Sequence, residues 1–172
     1  MPTDAEITFA DHVGRFYARR YPFPPMVGRL IGYLAVCDPP EQTIAELADA
    51  LLASRSAITQ AINVLETIHI VQRSRAAGER MDRVRLDMSS PQSQGLDISE
   101  YQDLVDLARE GLEVVRDAPL KRQAILLEME AFAEFLVERI TAMQQEWVER
   151  RAELVAAGKL PATAPGQEGS RS

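Results

Sequence analysis

The stretch from Thr43 to Leu86 constrains this chain most, because two apolar stripes of helical spacing stand back to back and two alternating segments follow them. Thr43-Ile-Ala-Glu46 is a helix-start signal, in which the threonine hydroxyl accepts from free N–H groups of the first turn and Glu46 reaches back to Thr43. Ile44, Leu47, Ala48, Leu51 and Leu52 then share one inward face of about two and a half turns, with Glu46 and Asp49 outside. A tight turn near Ala53 leads to Ser54, a good N-cap for a second helix. There Ala57, Ile58, Ala61, Ile62, Leu65 and Ile68 make the buried stripe, and Arg55, Ser56, Thr59, Gln60 and Asn63 take the other side.

After the second helix, His69 to Arg75 and Met81 to Leu86 alternate as two short strands, and Ala76-Ala-Gly78-Glu79-Arg80 supplies the turn between them. Helix, tight turn, helix, hairpin is the order of a winged helix-turn-helix, with the hairpin as the wing. The expected fold is therefore mainly α with a small β-hairpin. The polar face of the second helix is almost free of acid. It either solvates a surface helix or suits the major groove, where Arg bonds guanine, Gln or Asn pairs with adenine, and a Thr methyl touches thymine.

Charge favours the groove. The chain carries net −7, but residues 53–86 hold six arginines against three acids, while residues 1–52 come to −3 and residues 87–172 to −7. Phosphate neutralisation is local, so an acidic chain with one basic head can bind nucleic acid. Double-stranded DNA is the expected partner. Its candidate contacts are Ser54, Arg55, Ser56, Thr59, Gln60 and Asn63 on the helix, with Arg73, Arg75, Arg80 and Arg83 on the ribbon. The plainer alternative for the ribbon is a solvated hairpin with scattered arginines.

The remainder of the chain reads as helices. Phe9, Val13, Phe16 and Tyr17 form a stripe within a helix from Asp4 to Arg20, which stops ahead of Tyr21-Pro-Phe-Pro-Pro25. Met26 to Cys37 is the most apolar run, with Gly28 and Gly32 one turn apart as a packing surface. Ser89 to Gly95 is a polar linker. Ser99 to Arg116 is helical, and Pro119 opens a long helix in which Ile125, Met129, Phe132, Leu136, Ile140, Met143 and Trp147 continue one apolar seam to Leu154. A seam of that length needs a partner, either within its own subunit or in a second copy; the homodimer is the expectation. The chain divides into an N-terminal helix contributing to the dimer region (1–21), the winged helix-turn-helix (22–88), a helical dimerisation region (96–157) and a disordered tail (158–172).

Catalytic signatures are missing from the sequence: it has no glycine-rich phosphate loop and no cysteine pair, and neither His12 nor His69 has metal-site spacing. An enzyme is not expected, nor a metal or cofactor. The single Cys37 excludes an internal disulfide framework and reads as buried packing, with redox sensing as the other option. The Met-Pro-Thr-Asp start lacks a secretory signal and the apolar run is too short to span a bilayer, so a cytoplasmic protein is expected. Phe16, Tyr17, Tyr21, Phe23 and Tyr33 are candidate ligand-binding residues for a small-molecule effector, against the simpler reading that they are core.

The run Tyr21-Pro-Phe-Pro-Pro-Met-Val-Gly-Arg-Leu-Ile-Gly-Tyr-Leu-Ala-Val-Cys-Asp-Pro-Pro-Glu-Gln-Thr43, then Ala-Glu-Leu-Ala-Asp-Ala-Leu, Ala53-Ser-Arg-Ser56 and Gly78-Glu-Arg80, resembles the MarR transcriptional regulators, in particular their GbsR-like branch. The resemblance implies a cytoplasmic bacterial homodimer whose recognition helix (Ser54 to Ile68) enters the major groove while the wing (Arg73 to Arg85) approaches the minor groove or backbone. Members of that branch respond to choline, a quaternary ammonium that an aromatic cage would suit. His69 stands where a glycine commonly ends the recognition helix, and Ala77 where the wing often has proline. Two function classes follow: a regulator, expected to be a repressor, on a partly palindromic operator, or a winged-helix dimer that serves as a protein-interaction module without specific DNA binding.

Overall fold

The computed structural model describes residues 1–75, 81–88 and 93–162. They fall into two compact units, one built on Met1–Ser93 and the other on Gln94–Ala162.

The first unit opens with α1 (Asp4–Arg20), started by a capping box in which the Thr3 hydroxyl accepts from the Glu6 N–H and the Thr3 N–H donates back to Glu6 Oε2 at 2.6 Å. Helix α2 (Pro25–Leu34) begins at a proline in an allowed first-turn position and lies along α1. Small residues set their separation. A Cβ added to Gly28 would stand 2.9 Å from Gly14 Cα, and one added to Gly32 would stand 2.8 Å from Ala10 Cα. The packing reading of Gly28 and Gly32 is thus correct, but the stripe expected on α1 turns by one position. Ala10 and Gly14 are the buried residues of α1, flanked by half-buried Ile7, Val13 and Tyr17, while Phe9 and Phe16 are exposed. Backbones this close leave no room for large side chains between them.

Strand β1 (Gln42–Thr43) leads into α3 (Ile44–Ala50), whose capping box between Thr43 and Glu46 matches the start signal in the sequence. The helix is shorter than its apolar spacing suggested. Leu51 is buried, but Leu52 is 94% exposed at φ 50, so it leaves the inward face assigned to it. The turn is closed by the Ala53 N–H donating to the Ala48 carbonyl at 2.9 Å. Helix α4 (Arg55–Thr67) is capped by Ser54 and ends at His69, φ 57, with the Ile70 N–H donating to the Leu65 carbonyl at 2.9 Å. Histidine therefore does take the left-handed position that glycine commonly fills.

Strand β2 (Val71–Ser74) pairs antiparallel with β3 (Arg83–Leu86) in the register Val71 to Leu86 and Ser74 to Arg83. On the other side of β3 lies β1, with Gln42 opposite Val84, giving the order β1-β3-β2. The hairpin is thus shorter than its alternation predicted and gains a third strand. Leu30, Leu47, Leu51, Ile58, Ile62, Leu65, Val27 and Val84 are the largest fully buried side chains, and they join α2, both helices of the turn and the ribbon in one core.

The second unit pairs α5 (Ser99–Val114) with the 37-residue α6 (Leu120–Ala156). Gly111 admits Leu126 of α6, and Arg109 donates to Glu130 at 2.7 Å and Glu134 at 2.6 Å. Gln144 donates to the Leu96 carbonyl at 2.6 Å, which ties the entry of the unit to α6. Helix α6 closes on Gly158 at φ 69, with the Lys159 N–H donating to the Leu154 carbonyl. Of the expected tail, 158–162 forms this turn, and 163–172 lies outside the described residues. No helix among the described residues is long and apolar enough to cross a membrane.

Candidate nucleic-acid interface

Helix α4 and its N-cap Ser54 carry six of the ten candidate contacts. Ser54 spends its hydroxyl oxygen on the Ala57 N–H at 3.1 Å and shares a hydrogen bond with the Ser56 hydroxyl at 3.0 Å. Thr59 donates to the Arg55 carbonyl at 2.8 Å. Arg55, Ser56, Gln60 and Asn63 are exposed on the side away from the core. Among the described residues Arg55 makes no ion pair, so its guanidinium is free to meet a base or a phosphate.

The ribbon arginines are engaged. Arg73 grips Glu66 of α4 through two hydrogen bonds, of 2.7 and 2.9 Å, and also donates to Asn63 Oδ1 at 2.9 Å. Arg75 pairs across the hairpin with Asp82 at 2.6 Å, and this hydrogen bond holds the Asp82 carboxyl below its ordinary range. Arg83 Nη1 stands 3.6 Å from Glu46 and donates to the Glu41 carbonyl at 3.4 Å. Arg85, the most enclosed of them, reaches Glu41 at 3.7 Å and donates to Gln72 at 2.7 Å. Arg80 and the turn residues Ala76 to Glu79 lie outside the described residues.

These pairs revise the electrostatic picture. Counting along residues 53–86 leaves out Glu41 and Glu46, which the fold brings against Arg85 and Arg83. Five described arginines thus face four paired acids, Glu41, Glu46, Glu66 and Asp82. The head is less basic than its segment of sequence. Ion pairs open to solvent, as those of Arg73, Arg75 and Arg83 are, hold weakly, so a phosphate can displace their carboxylates at small cost.

The aromatic candidates separate into two places. Phe16 meets Tyr17 edge to face at 5.3 Å, Tyr17 stacks on Tyr21 at 5.7 Å, and Tyr21 stacks on Phe23 at 5.4 Å. The Arg20 guanidinium lies over the Phe16 ring at 5.1 Å. Tyr33 is not part of this ladder. Gly28 faces Gly14 and Gly32 faces Ala10, so residue 33 is level with the start of α1, the far end of the helix pair. Cys37 is buried and its thiol is pushed up to about 11, mainly by burial, which leaves it protonated and poorly suited to redox sensing.

Along α6 the expected dimerisation residues follow one stripe. Ile125, Phe132, Met143 and Trp147 are exposed, and Met129, Leu136 and Ile140 are half-buried. Phe135 extends this face and was not singled out from the sequence, because the seam was read at its neighbour Leu136. Together Met129, Phe132 and Phe135 line a shallow apolar groove.

A family description, MmpR5-like MarR family transcriptional regulator, matches residues 97–151. The HTH-type transcriptional regulator MmpR5 of Mycobacterium tuberculosis (strain ATCC 25618 / H37Rv) is 34% identical over 122 residues, covering 70% of this chain and 73% of that protein. The chain belongs to the MmpR5-like MarR family. A crystal structure of a transcriptional regulator, 29% identical, matches its fold with a TM-score of 0.74 over 84% of this chain and 99% of the other. As a member of the MmpR5-like MarR family, the chain is a DNA-binding transcriptional regulator with a winged helix-turn-helix, and not an enzyme. The family match falls on α5 and most of α6.

Proposed function

We propose that this regulator is a cytoplasmic homodimer that represses transcription from a partly palindromic operator, with α4 of each copy in one major groove and the ribbon against the backbone. The observation that carries the reading is the exposed face of α4, where Arg55, Ser56, Gln60 and Asn63 stand together and Arg55, among the described residues, has no acid to release. A two-fold dimer sets its two recognition helices about one helical turn of DNA apart. The seam of α6 suits self-association, since its exposed aromatic and Met side chains would otherwise remain in water. The resemblance of residues 21–43 to the GbsR-like branch supports an effector, and the Phe16-Tyr17-Tyr21-Phe23 ladder is its proposed site.

Selection of bound fragments from the source genome by the purified protein tests this reading. An enriched inverted repeat with half-sites one helical turn apart is expected. Arg55→Ala should weaken binding to that site by about 1 to 3 kcal/mol, and Arg83→Ala should weaken all sequences alike. Unchanged affinity in both variants would sink the assigned interface.

A further inference from the structure

We propose that the cleft between the start of α1, the end of α2 and α3 is a binding site for a small organic cation bearing primary or secondary ammonium groups, of the diamine or polyamine class. The cleft measures about 380 Å³, and Glu6, Tyr33, Asp38, Gln42, Glu46 and Asp49 supply its polar lining. That volume is of the order that holds one small ligand.

Tyr33 is the residue that makes this a site instead of an acidic surface. It is only 6% exposed, and its hydroxyl makes no hydrogen bond among the described residues. No fully enclosed side-chain N or O atom among the described residues lacks a partner. The Tyr33 hydroxyl therefore opens on the cleft that Tyr33 lines, where it awaits a partner from outside. Burial above all, with the negative charge of Glu6 and Glu46 adding to it, raises its pKa and keeps the phenol neutral.

The remaining lining defines the chemistry of that partner. Glu6 and Glu46 each commit Oε2 to their helix caps, which leaves Oε1 of each to accept. Gln42 spends its amide N–H on the Pro39 carbonyl at 2.7 Å, so its own carbonyl is what it can offer. Asp38 and Asp49 add two more carboxylates. A wall of acceptors calls for a ligand that donates only, which an ammonium does and a quaternary ammonium cannot. Among the described residues no three His, Cys, Asp or Glu side chains converge as a metal ion needs, so the charge suits an extended cation. Among the described residues the cations nearby are the amino group of Met1, which acts on Glu6, and Arg83, 3.6 Å from Glu46, and together they leave two of the four carboxylates uncompensated.

Isothermal titration calorimetry of the full chain with putrescine and spermidine at physiological ionic strength tests the site, with tetramethylammonium and magnesium as competitors. Saturable one-to-one binding of the amines is expected, unaffected by either competitor. Tyr33→Phe, which keeps the packing, should weaken it about fivefold, and Asp38→Asn with Asp49→Asn about tenfold or more. The absence of saturable heat would overturn the proposal. So would equal displacement by magnesium or tetramethylammonium, or wild-type affinity in both variants, since each would leave only a diffuse acidic surface.

Discussion

Leu52 and His69 occupy left-handed backbone, at φ 50 and 57, in the two places where the helices of the reading head must stop. That conformation costs an L-residue about 1 to 2 kcal/mol, and a glycine would escape it. Leu52 buries nothing in exchange, being 94% exposed. Leu52→Gly is therefore expected to raise stability by about 1 kcal/mol, read as a higher denaturant midpoint at unchanged slope. A lower midpoint would show that the leucine side chain is used. This conformation also explains why the end of α3 was hard to read, since an apolar residue at the right spacing looks like more helix until its backbone angle is known. The pairing of Arg73 with Glu66 and Asn63 was equally hidden, because the three residues meet only once the strand has folded back on α4. Glu66→Gln should release Arg73 and raise affinity for DNA of any sequence in a filter-binding titration. A drop would mean that the pair holds the ribbon in its binding position.

Helix α2 was recognised from its apolar run, and its two glycines from their spacing, because close helix packing leaves a simple imprint of small residues one turn apart. Gly32→Ala gains about 1 kcal/mol of helix propensity but drives a methyl against the backbone of Ala10, an overpacking cost of about 1 to 3 kcal/mol. The Ala10 Cα, 2.8 Å from the added carbon, cannot turn aside as a side chain can. Net destabilisation is expected in thermal unfolding, and a stabilised variant would mean that the helix pair can separate freely. Strand β1 shows the opposite case: with two residues it is too short to display alternation, and only its pairing with β3 makes it a strand. On α6 the seam was legible from its period. Phe132→Glu, at a side chain 59% exposed in the single chain, should leave the fold intact and give monomers in sedimentation if that seam joins two copies. A dimer that persists would place the interface elsewhere.

The whole molecule titrates as an acidic protein whose carboxylates are put to structural use. Backbone hydrogen bonds from Thr43 and Thr3 hold Glu46 and Glu6 below the ordinary range, and the hydrogen bond from Arg75 does the same to Asp82. A carboxylate depressed in the folded state stabilises it above the unfolded pKa, and that contribution is lost as pH falls through the folded value. Stability should therefore decline in acid below the ordinary carboxylate range, and Glu46→Ala should flatten that decline in urea titrations at stepped pH. The architecture of both units was readable because periodicity records which face is buried. Charge was less so, since Glu41 and Glu46 reach the ribbon through space and not along the chain.

If the ribbon meets the DNA backbone as proposed, the same pairs give binding the character of an exchange. When a ribbon arginine turns to a phosphate, the duplex sheds a condensed counterion, but the abandoned carboxylate must gather a cation from solution. The two ion movements oppose each other. Affinity should therefore fall with added salt less steeply than one counterion per ribbon arginine would require, leaving more of the binding to the direct contacts of α4.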